Sequence, residues 1–227
     1  MHSGHRRLAG LGTLAALVVF VSSQGAGQAK LPGTVSFILD FPKSEPSHYE
    51  ITVSCDGQGN YKSAGKISLQ DESEGQYQEP FSLSPAMTAR IFDLTRRAGY
   101  FQRELDSKKQ GLAFTGSKTL VYRDGERAAR QTYNYSQNAS VQELTTIFQN
   151  LSSTLEFGHR LEYYRRYQKL GLSDELKRME EMARGGQLVE LAAVSPVLQK
   201  IADDKAIINV VRARAQRLLA MAESPSN

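Results

Sequence analysis

The sequence predicts an α+β fold: an antiparallel β-sheet of two hairpins with one intervening helix, followed by an α-helical C-terminal region. Three observations carry it. Residues 48–55 alternate strictly between apolar and polar and run into Asp56-Gly57. A second alternating stretch meets Asp124-Gly125 and turns back. From Ser140 onward the apolar spacing changes from two residues to three and four, the period of a helix, and keeps it to the end. Strands first and helices afterwards indicate segregated layers rather than a parallel sheet with crossovers.

Ahead of these elements stands a leader. Arg6 and Arg7 open it, an apolar stretch runs from Leu8 to Val21, and small polar residues follow to Ala29. That is the order of a secretory signal, with Gly27-Gln28-Ala29 fitting the small-residue requirement for cleavage before Lys30. The apolar stretch is short of the roughly 20 residues that span a bilayer and is broken by Gly10 and Gly12, so a retained anchor is disfavoured. The reading is a periplasmic or secreted protein with no stable membrane insertion after cleavage. Three regions are expected: a signal peptide at 1–29, an α+β domain at 30–157 and a helical region at 158–227.

The 227 residues carry a net charge of +4. Removing Arg6 and Arg7 with the leader halves it, so the high isoelectric point is partly a property of the leader. A mature charge of +2 offers no concentrated basic face, and no nucleic-acid partner is expected. Cys55 is the one cysteine, so no internal disulfide can form. Its place in the alternation of 48–55 predicts a buried strand residue.

Along the chain, Thr34 to Phe41 is a first strand ended by Pro42 and Pro46. His48 to Cys55 is the second, and Tyr61 to Leu69 returns after a turn at 56–60. Asp71 to Gln78 is acidic and polar and reads as a surface loop. Ser84-Pro85 begins a helix with Met87, Ile91, Leu94 and Ala98 on one face, and Gly99 ends it. Tyr100 and Phe101 are expected to pack back on the sheet. Strands around Leu120–Tyr122 and Ala128–Tyr135 flank Asp124-Gly125. Ser140 and Glu143 have the spacing of a capping box for a long helix striped with Val141, Leu144, Phe148, Leu151 and Leu155, kinked at Gly158. Ser173 caps the next helix, and Leu188 to Ala193, Pro196 to Ala202 and Ile207 to Met221 are shorter ones.

The chemistry-bearing motifs are sparse. His48 and His159 fall in different regions, and no metal spacing joins them. His159 reads as a partly exposed helix residue beside Arg160. Asp56–Asn60 resembles a calcium loop but has Tyr61 and Ile67 where glycine and glutamate are required. Ser63-Ala64-Gly65-Lys66 matches S-x-x-K, yet on a strand positions i and i+3 face opposite ways. No cofactor motif occurs, and none is expected. Scattered carboxylates, among them Asp40, Glu50, Asp56, Asp71, Glu72, Glu74, Asp93 and Asp106, leave open a carboxylate-dependent hydrolase of the envelope.

The most distinctive surface candidate is Leu161 to Tyr167, where tyrosines alternate with arginines. Tyr163, Arg165 and Arg166 form a candidate interaction surface, with Tyr164 and Tyr167 turned to the core. The run from Tyr49 through Cys55-Asp56-Gly57 to Tyr61, then Leu83-Ser84-Pro85-Ala86-Met87 to Gly99-Tyr100-Phe101, Leu120 to Gly125 and the helix from Val141 resembles a small exported bacterial α+β domain of unknown function over residues 48–153. The resemblance implies the order of elements and an envelope location, and no activity. The function expected is a non-catalytic module that binds an envelope or secreted protein partner. A carboxylate hydrolase, or a structural protein packing through its C-terminal helices, are the competing readings.

Overall fold

The computed structural model describes Met1 and residues 32–66 and 75–223. Apart from Met1, the expected signal segment lies outside the described residues, as do Asp71, Glu72 and Glu74. The class is α+β, with strands β1 (Thr34–Asp40), β2 (His48–Ser54), β3 (Gln58–Gly65), β4 (Gly75–Ser82), β5 (Ser117–Arg123) and β6 (Ala128–Tyr133). They form one antiparallel sheet in the order β4-β3-β2-β1-β5-β6. The two expected hairpins are therefore parts of a larger sheet, joined by β1 and extended by β4.

Alternation places Val35, Phe37, Leu39, Tyr49, Ile51, Val53, Tyr61 and Leu120 on one buried face. Helix α1 (Pro85–Arg97) and the long helix α2 (Ala139–Tyr167) cover that face. Ser84 caps α1 as expected, its Oγ accepting from the Met87 N–H at 3.2 Å. Phe101 is fully buried and the Tyr100 ring packs 4.9 Å from Tyr122, so this pair does return to the sheet. The β5–β6 hairpin turns at Asp124, whose carboxylate accepts from the N–H groups of Glu126 and Arg127. Those bonds hold the Asp124 carboxyl down at about 2.

Several local expectations are corrected. Asp71 to Gln78 is not all loop, because its last residues begin β4. Cys55 is exposed: β2 ends at Ser54, so the alternation that would have buried it stops one residue short. The cap of α2 is Asn138, whose Oδ1 accepts from Ser140 and Val141 N–H, while Glu143 pairs with Arg90 instead of closing a capping box. Gly158 does not break the helix. It lies inside an unbroken α2, where an added Cβ would meet Val194 Cγ1 at 2.6 Å. Helix α3 (Leu172–Arg184) starts without a side-chain cap from Ser173. Residues 188–190 are not helical; a short 3-10 turn at Leu191–Val194 precedes α4 (Ser195–Asp203) and α5 (Asn209–Glu223).

Helices α3 and α4 pack on α2, α5 packs on α3 and α4, and the core runs continuously from the sheet into them. Helix α2 carries the chain through the expected boundary at 157–158 without a break.

Candidate functional site

Helix α2 crosses the sheet from one edge to the other. Its Thr145 meets Tyr133 on β6 (2.6 Å), Phe148 stacks on Phe37 of β1 (5.4 Å), and Ser152 meets Tyr61 on β3 (3.1 Å). His159 then stacks on Tyr77 of β4, rings 3.6 Å apart and nearly parallel. Fourteen residues at about 1.5 Å each give about 21 Å, close to the five interstrand gaps of about 4.8 Å that separate β6 from β4. The rest of α2, through Tyr167, overhangs the β4 edge.

Where α2 passes over β3, it buries a carboxylate. Glu156 Oε1 accepts from Ser63 Oγ at 2.6 Å and Tyr61 Oη at 2.7 Å. Its Oε2 lies 3.7 Å from His159 Nδ1 and 3.9 Å from Arg160, electrostatic contacts rather than hydrogen bonds. Burial pushes the Glu156 carboxyl up, but the imidazole and the two hydroxyls outweigh it and hold the group below its ordinary value. Burial, followed by the Glu156 charge, pushes the Tyr61 phenol far above its usual range. Arg160 is held in turn by Glu175 at 2.6 Å.

Beyond His159 a groove of about 420 Å³ opens between the sheet edge and the helices. Tyr77 and Glu79 of β4 form one wall; His159, Glu162, Tyr163, Arg166 and Tyr167 of α2 form the roof; Val197 and Lys200 of α4 close the far side. The Tyr163 and Tyr167 rings lie 5.3 Å apart. Glu162 binds Arg165 at 2.9 Å and Arg166 at 2.6 Å, and the Arg165 contact foremost draws its carboxyl down despite partial burial. On the other side of Glu156, a cavity of about 360 Å³ is lined by Tyr49, Ser152, Arg160 and Arg178 among others.

Of the three surface candidates, Tyr163 and Arg166 line the groove, and Arg165 stands behind it, holding Glu162. Tyr164 packs against the core as expected, but Tyr167 is 70% exposed. It lies on the overhang, where no sheet remains beneath the helix. His159 is a partly exposed helix residue, as expected, but it is not isolated: its ring stacks on Tyr77 and its Nδ1 lies 3.7 Å from Glu156. His48 lies on β2, two strands from β4 and on the opposite face of the sheet from Tyr77, where Nδ1 contacts Asp40 at 2.6 Å. Ser63 faces inward to Glu156, while Lys66 lies past the end of β3 and is exposed, so the S-x-x-K letters form no pair. Lys118 is buried at the foot of β5, donating to Thr115 O and Oγ1, Gly116 O and Asn134 O.

The carboxylates singled out from sequence are spread among caps and surface pairs: Asp56 on Gln58 N–H, Asp93 with Arg96, Asp106 on Asn134 N–H. The one that matters, Glu156, was not among them. The signal for it is faint, a glutamate two residues from Thr154 in an apolar stripe. Among the described residues no three His, Cys, Asp or Glu side chains gather into a metal-holding group. No described helix is long and apolar enough to cross a membrane.

A histidine beside a buried carboxylate in the roof of a groove could move a proton. Among the described residues, no serine, threonine or cysteine lines the groove to act as nucleophile. Glu162, bound by two guanidiniums, is held ionised and unsuited to serve as an acid. No protein-family model matches the chain, and no curated protein matches it.

Proposed function

We propose that this chain is an exported, non-catalytic interaction module. The leader at 1–29 directs it to the periplasm or the medium, and a partner protein there occupies the groove beneath the overhang of α2. The observation that carries the reading is the lining: four aromatic rings (Tyr77, His159, Tyr163 and Tyr167) with Arg166 and Lys200 at the rim. Aromatic and arginine side chains of this kind dominate protein recognition surfaces. The pairing of Glu156 with His159 supports a second reading, a hydrolase using His159 as general base.

The two separate on one assay. Purified protein is offered ester, glycoside, peptide and phosphoester substrates beside H159A and E156Q. The interaction module turns over none of them above the variants. Turnover lost in both variants overturns the proposal in favour of the hydrolase. Export is tested by fusing residues 1–29 to a reporter active only outside the cytoplasm; an inactive fusion removes that part.

A further inference from the structure

We infer that the groove is built to receive one extended peptide segment, added to β4 as a seventh strand and carrying acidic side chains toward Arg166 and Lys200. This rests on the groove reading above and specifies its mode.

The first ground is the edge itself. No described strand lies beyond β4, and Gln76, Gln78 and Pro80 are exposed. The register fixes which backbone groups are free. Leu83 N–H donates to Gly57 O, which makes 57/83 a hydrogen-bonded pair. Counting back by twos along the β3–β4 register, Gly59/Phe81, Tyr61/Glu79 and Ser63/Tyr77 are bonded pairs too. Gln76, Gln78 and Pro80 therefore turn their backbone groups outward. Pro80, lacking an N–H, sits where an edge strand tolerates it. The N–H and C=O of Gln76 and Gln78 and the C=O of Pro80 are left for an incoming strand.

The second ground is the overhang. A seventh strand would lie about 4.8 Å outside β4, which along α2 is about three residues past His159, beneath Glu162 and Tyr163. Its inward side chains would enter the groove between Tyr163 and Tyr77. An edge strand facing a helix across a groove is the geometry of peptide capture by strand addition. The overhang also selects the occupant. A second copy pairing edge to edge would bring its own helices into the space that residues 162–167 already fill, whereas a single segment slides beneath them.

The third ground is charge. On the helical side, Glu162 is shared by Arg165 and Arg166 and also lies in the field of Lys200, leaving a positive surplus; Lys200 makes no direct ion pair with a described carboxylate. Glu79 is the opposing charge on the strand side. Side chains that point toward the helices should therefore be acidic.

The test uses the purified full chain and a short fluorescein-labelled peptide of alternating valine and glutamate, read by anisotropy. A lysine counterpart and two versions N-methylated at alternate backbone nitrogens, one in each phase, accompany it. The acidic peptide should bind with Kd under about 1 mM and the lysine peptide at least about tenfold more weakly. One methylated phase should lose binding while the other keeps it, because alternate N–H groups face β4. Q78P should weaken binding about fivefold or more through one lost interstrand bond. K200E should weaken it about tenfold at low salt and less as salt rises. If both methylated phases bind like the parent while Y163A and K200E still weaken binding, strand addition is wrong and the groove reading survives. If Y163A and K200E leave binding untouched, the groove reading falls with it. Failure of the acidic peptide to bind, or equal binding by the lysine peptide, overturns the inference.

Discussion

Replacing Glu156 with glutamine keeps its size and removes its charge. Both hydroxyl donors, Ser63 at 2.6 Å and Tyr61 at 2.7 Å, bind the same oxygen, Oε1, and a glutamine oxygen can still accept them. What is lost is the charge assistance of these bonds, together with the attraction of Oε2 to His159 and Arg160. A bond to a charged acceptor contributes about 1.5–3 kcal/mol and a neutral one about 0.5–1.5, so the two bonds together lose about 2 kcal/mol. Glu156→Leu goes further. Tyr61 keeps Ser152 at 3.1 Å, but the Ser63 hydroxyl is left buried without its acceptor, for a total of about 3–5 kcal/mol. Urea unfolding at neutral pH reads the series, with a midpoint lowered by about 1 M for E156Q if the slope is about 2 kcal/mol per M. The pH dependence supplies a second check. The folded carboxyl lies below its ordinary 4.5, so its contribution is complete above that value and drains away as pH falls through the depressed one. E156Q should lack this acid-dependent loss. Midpoints for E156Q and E156L both equal to the parent would refute the view that this carboxylate pins α2 to β3.

Other substitutions test the packing around it. Gly158→Ala gains about 1 kcal/mol of helix propensity but drives a methyl to 2.6 Å from Val194 Cγ1, for a net loss of about 1–3 kcal/mol in thermal unfolding. Lys118→Met strips the donor from Gly116 O and Asn134 O, and a loss of about 2 kcal/mol should appear in urea unfolding. Glu190, whose carboxylate accepts from the Ser84 N–H at 2.7 Å and Oγ–H at 2.8 Å, clasps the 3-10 turn to the start of α1; Glu190→Ala should cost about 1–2 kcal/mol by the same measurement. Cys55, exposed in its turn, should react fully with a thiol reagent in the native protein, and alkylation should leave the melting temperature unchanged.

What could be read from the sequence was what depends on near neighbours. The strands at 34–40 and 48–54 alternate because one face is buried, and Ser84-Pro85 and Asp124-Gly125 act within four residues of themselves. β4 escaped because Glu79 interrupts its inward row between Tyr77 and Phe81, its outward row is polar, and it includes proline, which an edge strand permits and a central strand does not. Glu156 escaped because its partners Tyr61 and Ser63 stand 95 and 93 residues away. Tyr163 and Arg166 were visible as a pattern, but the width of the sheet, not the helix, decides that Tyr167 has nothing beneath it. Cys55 shows the reverse failure: a correct alternation extended by one residue past the point where the strand ends.

The position of β1 has a consequence in time. It is the first of the described strands along the chain, yet it lies inside the sheet with both edges paired. Its β2 edge closes after a short connection, whereas the other waits for β5, with Thr34 opposite Arg123. The four-stranded meander β1–β4 can assemble from local contacts as the chain emerges, but one flank of it, the row from Thr34 to Asp40, stays open until residues 117–123 arrive. During that interval the growing chain offers an unprotected strand edge, the kind that joins to other chains. Late closure of a distant pair also slows folding. Slow release of the region between Ser82 and Ser117 should therefore favour aggregates, and a chaperone holding the β1 edge would have the most to prevent.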